Sequence, residues 1–278
     1  MDANTLYVSD LDGTLLNTRD EISPRSLRII NSLIEKGMKF TYATARSLSS
    51  ASVVTKGLSL HIPVIIYNGA FIRAADTGKT LYSVGFSKEE QRFMEEFLRK
   101  EGLSPLVYTF REGEEKVLRE ASRENEGIRR YLSCRKGDKR MEAVRDGESI
   151  YQGDIFYFTC IGEREELEGA YRRLSEDKRF RITLQQELYR PEYWLEIMPE
   201  RTSKAAAICE LRKLWNCERI VSFGDSVNDL PMFAVSDEAY AVENAVEELK
   251  SHATGMIPSN DNDGVAEFLE KRFRAHGL

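Results

Sequence analysis

Leu6-Tyr7-Val8-Ser9-Asp10-Leu11-Asp12-Gly13-Thr14 decides how this chain folds. Leu6 to Ser9 reads as a short buried strand that runs straight into two aspartates and a Gly-Thr pair. Next, Ser23-Pro24 opens a helix, with Ser23 as N-cap and Pro24 in the first turn. Leu27, Ile30, Leu33 and Ile34 recur at helical spacing, and Gly37 supplies the stop. Met38 to Ala43 reads as a second strand, ending at Thr44-Ala45-Arg46. A helix over 47–57 and a third strand, Ile62 to Tyr67, follow, and that strand ends at Asn68-Gly69-Ala70. Alternating strands and helices predict a parallel sheet with right-handed crossovers. Each strand ends in a small polar cluster, the expected place for a site in an open α/β sheet.

From about residue 82 the texture changes. Residues 111–149 are dense in charge and show little apolar periodicity. Asp154 to Ile161, Phe180 to Leu184 and Tyr193 to Met198 read as strands, and 163–176 as a helix. The α/β rhythm resumes after Pro199 with a helix from Thr202 to Trp215 and a strand from Arg219 to Phe223. That strand ends in Gly224-Asp225-Ser226-Val227-Asn228-Asp229. Short strands at Ala239–Val242 and Ala253–Ile257 and a helix at Val265–Phe273 complete the pattern. The fold class is α/β: a Rossmann-like parallel-sheet core from 1–82 and 199–278, with an α+β domain over 83–198 inserted as a cap.

At 278 residues, two domains are the expectation, and 41% hydrophobic with 31% charged residues is an ordinary composition with material for a real core. A net charge of −6 and a pI near 5.4 argue against a general nucleic-acid surface. No apolar run approaches the roughly 20 residues of a membrane span, and no signal peptide is visible, so a cytoplasmic protein is expected. Cys134, Cys160, Cys209 and Cys217 fit no zinc spacing. His61, His252 and His276 are scattered, so a histidine-based hydrolase triad does not stand out.

Asp10/Asp12, Thr44, Lys204 and Asp225/Asn228/Asp229 stand at strand ends or helix starts. Taken singly, each has a structural explanation as a cap, turn residue or surface cation. Parallel strands, however, bring such clusters to one edge of the sheet. Crowded carboxylates repel one another, and burial worsens this. A divalent cation relieves that repulsion, and hard oxygen ligands without histidine or thiolate favour magnesium. A lysine and a hydroxyl alongside make a receptor for a phosphoryl group in transfer.

The motifs resemble the haloacid dehalogenase superfamily of phosphohydrolases, in the family's order: Asp10-Leu11-Asp12-Gly13-Thr14, then Thr44-Ala45-Arg46, then Ser203-Lys204, then Gly224 to Asp229. Asn68-Gly69-Ala70, Ala241 to Ala245 and Asp263 to Ala266 resemble its Cof-type branch, which carries a large α+β cap between the second and third motifs. Ser226, Ala45 and Ala205 depart from the commoner Asn, Gly and Gly without removing a catalytic group.

The resemblance implies a Mg²⁺-dependent phosphatase acting on small phosphate monoesters, sugar phosphates foremost, through an aspartyl phosphate. Asp10 is then the nucleophile and Asp12 the acid and base, with the Asp12 main-chain carbonyl also on the metal. Asp10 and Asp225 are the carboxylate metal ligands, and Asn228 and Asp229 support them. Lys204 contacts Asp10 and the phosphoryl oxygens, and Thr44 donates a hydrogen bond. Arg46 either holds the leaving-group side or pairs with a surface acid, and Asn68 and Gly69 shape the floor. Glu196 either reaches sugar hydroxyls or is exposed on an edge strand. The pairs in Arg111–Glu148 read as a solvated face or an anion site. The cap is expected to pivot near Tyr82–Gly85 and Pro199–Arg201 and to carry specificity. A phosphomutase of the same superfamily shares every core residue, and a non-catalytic binding module could share the fold.

Overall fold

The structure is a computed structural model and describes residues 4–145, 147–186 and 191–275, so His276 lies outside it. The chain divides into two compact units, Met1–Ser83 with Ser203–Leu278, and Val84–Thr202. The first unit opens with β1 (Thr5–Ser9), buried at every residue. In α1 (Pro24–Glu35) the Ser23 hydroxyl accepts from the Ser26 amide, and Ile30, Leu33 and Ile34 are buried. Gly37, at φ 95°, turns the chain into β2 (Lys39–Tyr42), which pairs parallel to β1. The next helix, α2 (Leu48–Val54), ends at Thr55, short of the expected 57.

The third strand departs from the expected parallel sheet. β3 (Val64–Ile66) meets the main sheet through one parallel bridge, Ala43 to Ile65. Its main partner is β4 (Phe71–Arg73), antiparallel, followed by β5 (Thr80–Ser83). The cause is local: Tyr67, Asn68 and Gly69 take φ of 50°, 53° and 98°, three left-handed residues that reverse the chain into a hairpin.

The second unit contains α3 (Lys88–Lys100), β6 (Leu106–Arg111), β7 (Glu114–Glu120), α4 (Glu126–Ser133), β8 (Met141–Val144), β9 (Asp154–Gly162), α5 (Arg164–Ser175), β10 (Phe180–Gln186) and β11 (Tyr193–Pro199). Its sheet runs β10-β11-β9-β6-β7-β8, antiparallel except for the last pair. Met94, Leu98, Leu167 and Leu174 from α3 and α5 pack on Phe158, Leu195 and Ile197 from one sheet face. The described residues of the charged stretch include β7, α4 and β8. Arg111 meets Glu142 at 2.5 Å, Arg119 meets Glu124 at 2.6 Å and Arg140 meets Glu115 at 2.6 Å, so many of its charges answer each other. Arg201 donates to Glu90 at 2.8 Å and to the Gly85 carbonyl at 2.5 Å, tying both ends of the unit together. That hydrogen bonding holds the Glu90 carboxyl at about 2.

The chain re-enters the first unit through α6 (Lys204–Leu214), β12 (Arg219–Gly224), α7 (Leu230–Ala234), β13 (Glu238–Val242), α8 (Glu247–Lys250), β14 (Gly255–Ile257) and α9 (Gly264–Ala275). The main sheet is parallel, in the order β14-β13-β12-β1-β2. Because β1 lies between β2 and β12, the strand order reverses there, and the carboxyl ends of β1 and β12 flank the crevice. Among the described residues no helix is long and apolar enough to cross a membrane.

Glu238 fastens this sheet to the last helix. It accepts from both Arg272 Nη atoms at 2.6 and 2.7 Å, from Arg219 at 2.8 Å and from Tyr240 at 2.7 Å. The Arg272 hydrogen bonds chiefly hold its carboxyl at about 2, below the ordinary 4.5. A depressed acid contributes stability that is complete above its unfolded value and is lost as pH falls through the folded one. Glu238→Gln is therefore expected to lose roughly 1–2 kcal/mol at neutral pH, after allowance for solvent screening. Its acid-denaturation curve, followed by circular dichroism, should be shallower than wild type between pH 4.5 and about 2. Equal slopes for the two proteins would overturn this role.

Candidate active site

Asp10 follows the last residue of β1, and its amide donates to the Phe223 carbonyl of β12 at 2.9 Å, so the parallel ladder carries it to the crevice. Lys204 is the first residue of α6, after Ser203 caps the helix by accepting from the Ala206 amide at 3.0 Å. A cation at a helix N-terminus opposes the helix dipole. Here two carboxylates outweigh that effect: Lys204 Nζ donates to Asp10 Oδ1 at 2.5 Å and to Asp229 Oδ1 at 2.8 Å. Lys204, Asp10 and Asp229 are 2%, 5% and 0% exposed. Asp229 Oδ2 accepts from the Asp225 and Ser226 amides at 3.1 and 3.3 Å, so both its oxygens are engaged.

Asp225, at the end of β12, is oriented by the Thr14 hydroxyl, which donates to Oδ1 at 2.9 Å. Gly13 is required between them on two counts. Its φ is +75°, and a Cβ there would sit 2.5 Å from Asp225 Oδ2.

One ammonium thus faces three aspartates. Burial is the chief cause that raises Asp10 to about 8; Lys204 opposes it, while Asp229 and Asp225 add to it. Burial likewise raises Asp225 to about 6, with the Thr14 hydrogen bond opposing and Asp229 adding. For Lys204, burial works against the charge, but Asp10 and Asp229 outweigh it and its pKa rises. This excess of negative charge calls for another cation. Asp10, Asp225 and Asp229 each offer an oxygen within 4.8 Å of the others. Since Lys204 and two amides occupy Asp229, Asp10 and Asp225 are the better donors. An all-oxygen set fits magnesium rather than zinc or copper.

Thr44 is fully buried after β2; its hydroxyl accepts from the Arg46 amide at 3.1 Å, which leaves its own hydrogen to donate. Arg46 pairs with an acid, and that acid is Asp12: Nε lies 3.0 Å from both carboxylate oxygens and Nη2 lies 2.5 Å from Oδ1. The same Nη2 reaches Asp20 at 3.2 Å. Unlike Asp10, Asp12 is exposed. The Asn68 amide donates to the Thr44 carbonyl at 2.9 Å, and its buried Oδ1 has no hydrogen-bond partner among the described residues. Gly69 is needed because a Cβ would stand 2.1 Å from the Ser203 carbonyl oxygen. Asn228 is exposed on the turn that carries Asp229.

The sequence reading assigned no role to Asn244 or Asn260. Asn244 Nδ2 donates to the Gly13 carbonyl at 2.8 Å, and its Oδ1 accepts from the Asn260 amide at 3.0 Å. Asn260 Nδ2 donates to the Leu16 carbonyl at 2.9 Å. Together they clasp the loop after Asp10. The available signal was Asn244 itself, a polar residue two positions beyond the end of β13.

A profile of haloacid dehalogenase-like hydrolases matches residues 7–269. In Bacillus subtilis (strain 168), the 5-amino-6-(5-phospho-D-ribitylamino)uracil phosphatase YwtE is 28% identical over 282 residues, covering 94% of this chain and 96% of that protein. Phosphatase YwpJ of the same strain is 25% identical over 288 residues, covering 95% and 98%. Among solved structures, TM0651 from Thermotoga maritima superposes with a TM-score of 0.78 at 28% identity, covering 96% of both chains. A haloacid dehalogenase-like hydrolase from Bacteroides thetaiotaomicron gives 0.77 at 25% identity, covering 97% of this chain and 99% of that one. With a family match that runs from β1 into α9, around the Asp10–Lys204–Asp229 cluster, the chain belongs to the haloacid dehalogenase-like hydrolases and is an enzyme of that family.

Proposed function

We propose that this enzyme is a magnesium-dependent phosphatase that hydrolyses small phosphate monoesters through a phosphoaspartate at Asp10. The observation that carries this reading is the buried Lys204 bridging Asp10 and Asp229, with Asp225 alongside. Asp10 and Asp225, with the Asp12 main-chain carbonyl, would hold magnesium, which supplies positive charge to the phosphoryl oxygens and lowers repulsion. Asp10 attacks phosphorus in line, and the ester oxygen leaves. Lys204 lets two anions approach, and Asp229 fixes its ammonium. Thr44 donates its hydroxyl hydrogen to a phosphoryl oxygen. Asp12 gives a proton to the leaving oxygen and then takes one from the water that cleaves the acyl phosphate. Arg46 positions Asp12 for both transfers.

Phosphorylated sugars and polyols are the substrate class proposed. The relative YwtE is named for a phosphorylated ribityl compound, and the match to it spans nearly both chains.

Activity should require magnesium and vanish with a chelator. Asp225→Ala should raise the magnesium concentration for half-maximal rate by about a hundredfold or more, leaving Asp10 as the sole carboxylate ligand. An unchanged magnesium curve in this variant, or full turnover with chelator present, would sink the reading.

A further inference from the structure

Asp12 is the exposed aspartate of the site, and its orientation depends on one neighbour. Among the described residues Arg46 is the only hydrogen-bond donor to the Asp12 carboxylate, through Nε and Nη2. A guanidinium fixes a carboxylate only as firmly as the guanidinium is itself fixed. Arg46 is long and about a fifth of its side chain is exposed, so a second anchor matters. Among the described residues its one other side-chain partner is Asp20, whose Oδ1 accepts from Nη2 at 3.2 Å. Nη2 thus stands between two carboxylates, Asp12 on one side and Asp20 on the other. All three residues belong to the first unit.

The turn that carries Asp20 is well tied. Asn17 Oδ1 accepts from the Arg19 and Glu21 amides at 2.9 and 3.3 Å. The Asn17 amide donates to the Glu21 carbonyl, and the Asp20 amide to the Asn17 carbonyl, both at 3.0 Å. Thr18 donates through its amide and its hydroxyl to Asp261 Oδ1, at 2.9 and 3.1 Å, which tethers the turn to the segment after β14. Asp20 itself sits at φ 59°, a left-handed conformation that aspartate and asparagine adopt more readily than most residues. The Asp20 side chain is largely exposed, and an exposed ion pair adds little to stability. Orientation of Arg46 is what this arrangement achieves.

We propose that Asp20 is a positioning residue for proton transfer: it anchors Arg46, and Arg46 in turn aims the Asp12 carboxyl. The inference rests on the phosphatase reading above and deepens it. Without Asp20, Arg46 and Asp12 stay paired but swing together, and Asp12 faces the ester oxygen for a smaller share of the time. The cost falls on the step in which the proton passes from Asp12 to the leaving oxygen. An alkoxide needs that proton, whereas a nitrophenolate leaves without it. The contribution of Asp20 therefore depends on the leaving group, which a purely structural role would not produce.

Two measurements on the full chain test this. First, kinetics compare glycerol 2-phosphate with 4-nitrophenyl phosphate. Asp20→Asn, which suits the left-handed turn and removes only the charge, is expected to lower kcat/KM for the alkyl ester about tenfold. For the aryl ester it should stay within about twofold of wild type. In an Arg46→Met background the same substitution should cost no more than about twofold on either ester, because Asp20 acts through Arg46. Second, the NMR signal of the Arg46 Nε–H, assigned by its absence from Arg46→Met, should exchange with water about fivefold faster or more in Asp20→Asn. Should Asp20→Asn fail to fold, Asp20→Gly also tolerates the positive φ and carries both comparisons. Equal losses on the two esters, no loss on either, or a full tenfold loss in the Arg46→Met background would overturn the proposal, as would unchanged exchange at Arg46. Inactivity of wild type on both esters would defeat the phosphatase reading alone, since the exchange measurement does not depend on hydrolysis.

Discussion

Asp10→Asn is expected to abolish turnover while the protein stays folded. The amide is the same shape and still offers an oxygen to Lys204 Nζ, which lies 2.5 Å from Oδ1 in the native protein. What it lacks is the negative charge and nucleophilicity needed to attack phosphorus. The loss should be on the order of 10⁴-fold in kcat, about 5 kcal/mol in barrier. Initial rates on fresh protein, before any deamidation back to aspartate, make the measurement. An Asp10→Asn enzyme with a tenth of wild-type activity would end the nucleophile assignment.

Lys204→Met should produce the second large effect, and on two observables. Activity should fall about 10³-fold or more, because nothing then screens Asp10 from the incoming phosphoryl oxygens. Stability should fall as well. Lys204 bridges two carboxylates that are 5% and 0% exposed, and removing one partner of a buried pair costs about 3–5 kcal/mol. Thermal unfolding with and without magnesium separates the contributions. The variant should melt below wild type without metal and regain part of the difference with it, since a divalent cation supplies some of the missing charge. A Lys204→Met protein as stable as wild type in chelator would contradict the electrostatic account, however active it proved.

Arg46 shows where the reading of the sequence stopped. Nothing in Thr44-Ala45-Arg46 says which acid the guanidinium meets, because Asp12 is 34 positions away and is brought near by the pairing of β1 with β2. The Asn244 clasp on Gly13 spans 231 positions and depends on the order β13-β12-β1. The charged stretch looked featureless for a related reason. Among its described residues Val117, Leu118, Ile128 and Tyr131 are the only large buried hydrophobic side chains, too few for a period to show. Its longer-range pairs, Arg140 with Glu115 and Arg111 with Glu142, join residues 25 and 31 positions apart and leave no local signature.

By itself, the sequence determined what depends on near neighbours and strand direction. Alternating apolar runs specify the α/β class, Ser23-Pro24 and Ser203 start helices, and polar clusters at strand ends identify the candidate site, because parallel strands deliver their carboxyl ends to one edge. Tertiary structure decided what depends on pairing across the chain. It turned β3 out of the main sheet through the left-handed turn at Tyr67–Gly69, gave both oxygens of Asp229 to Lys204 and main-chain amides, and set Glu196 inside a sheet rather than on its edge. The division follows from the range of the forces. Propensity and capping act within a few residues, whereas register, burial and charge pairing exist only once distant segments have met.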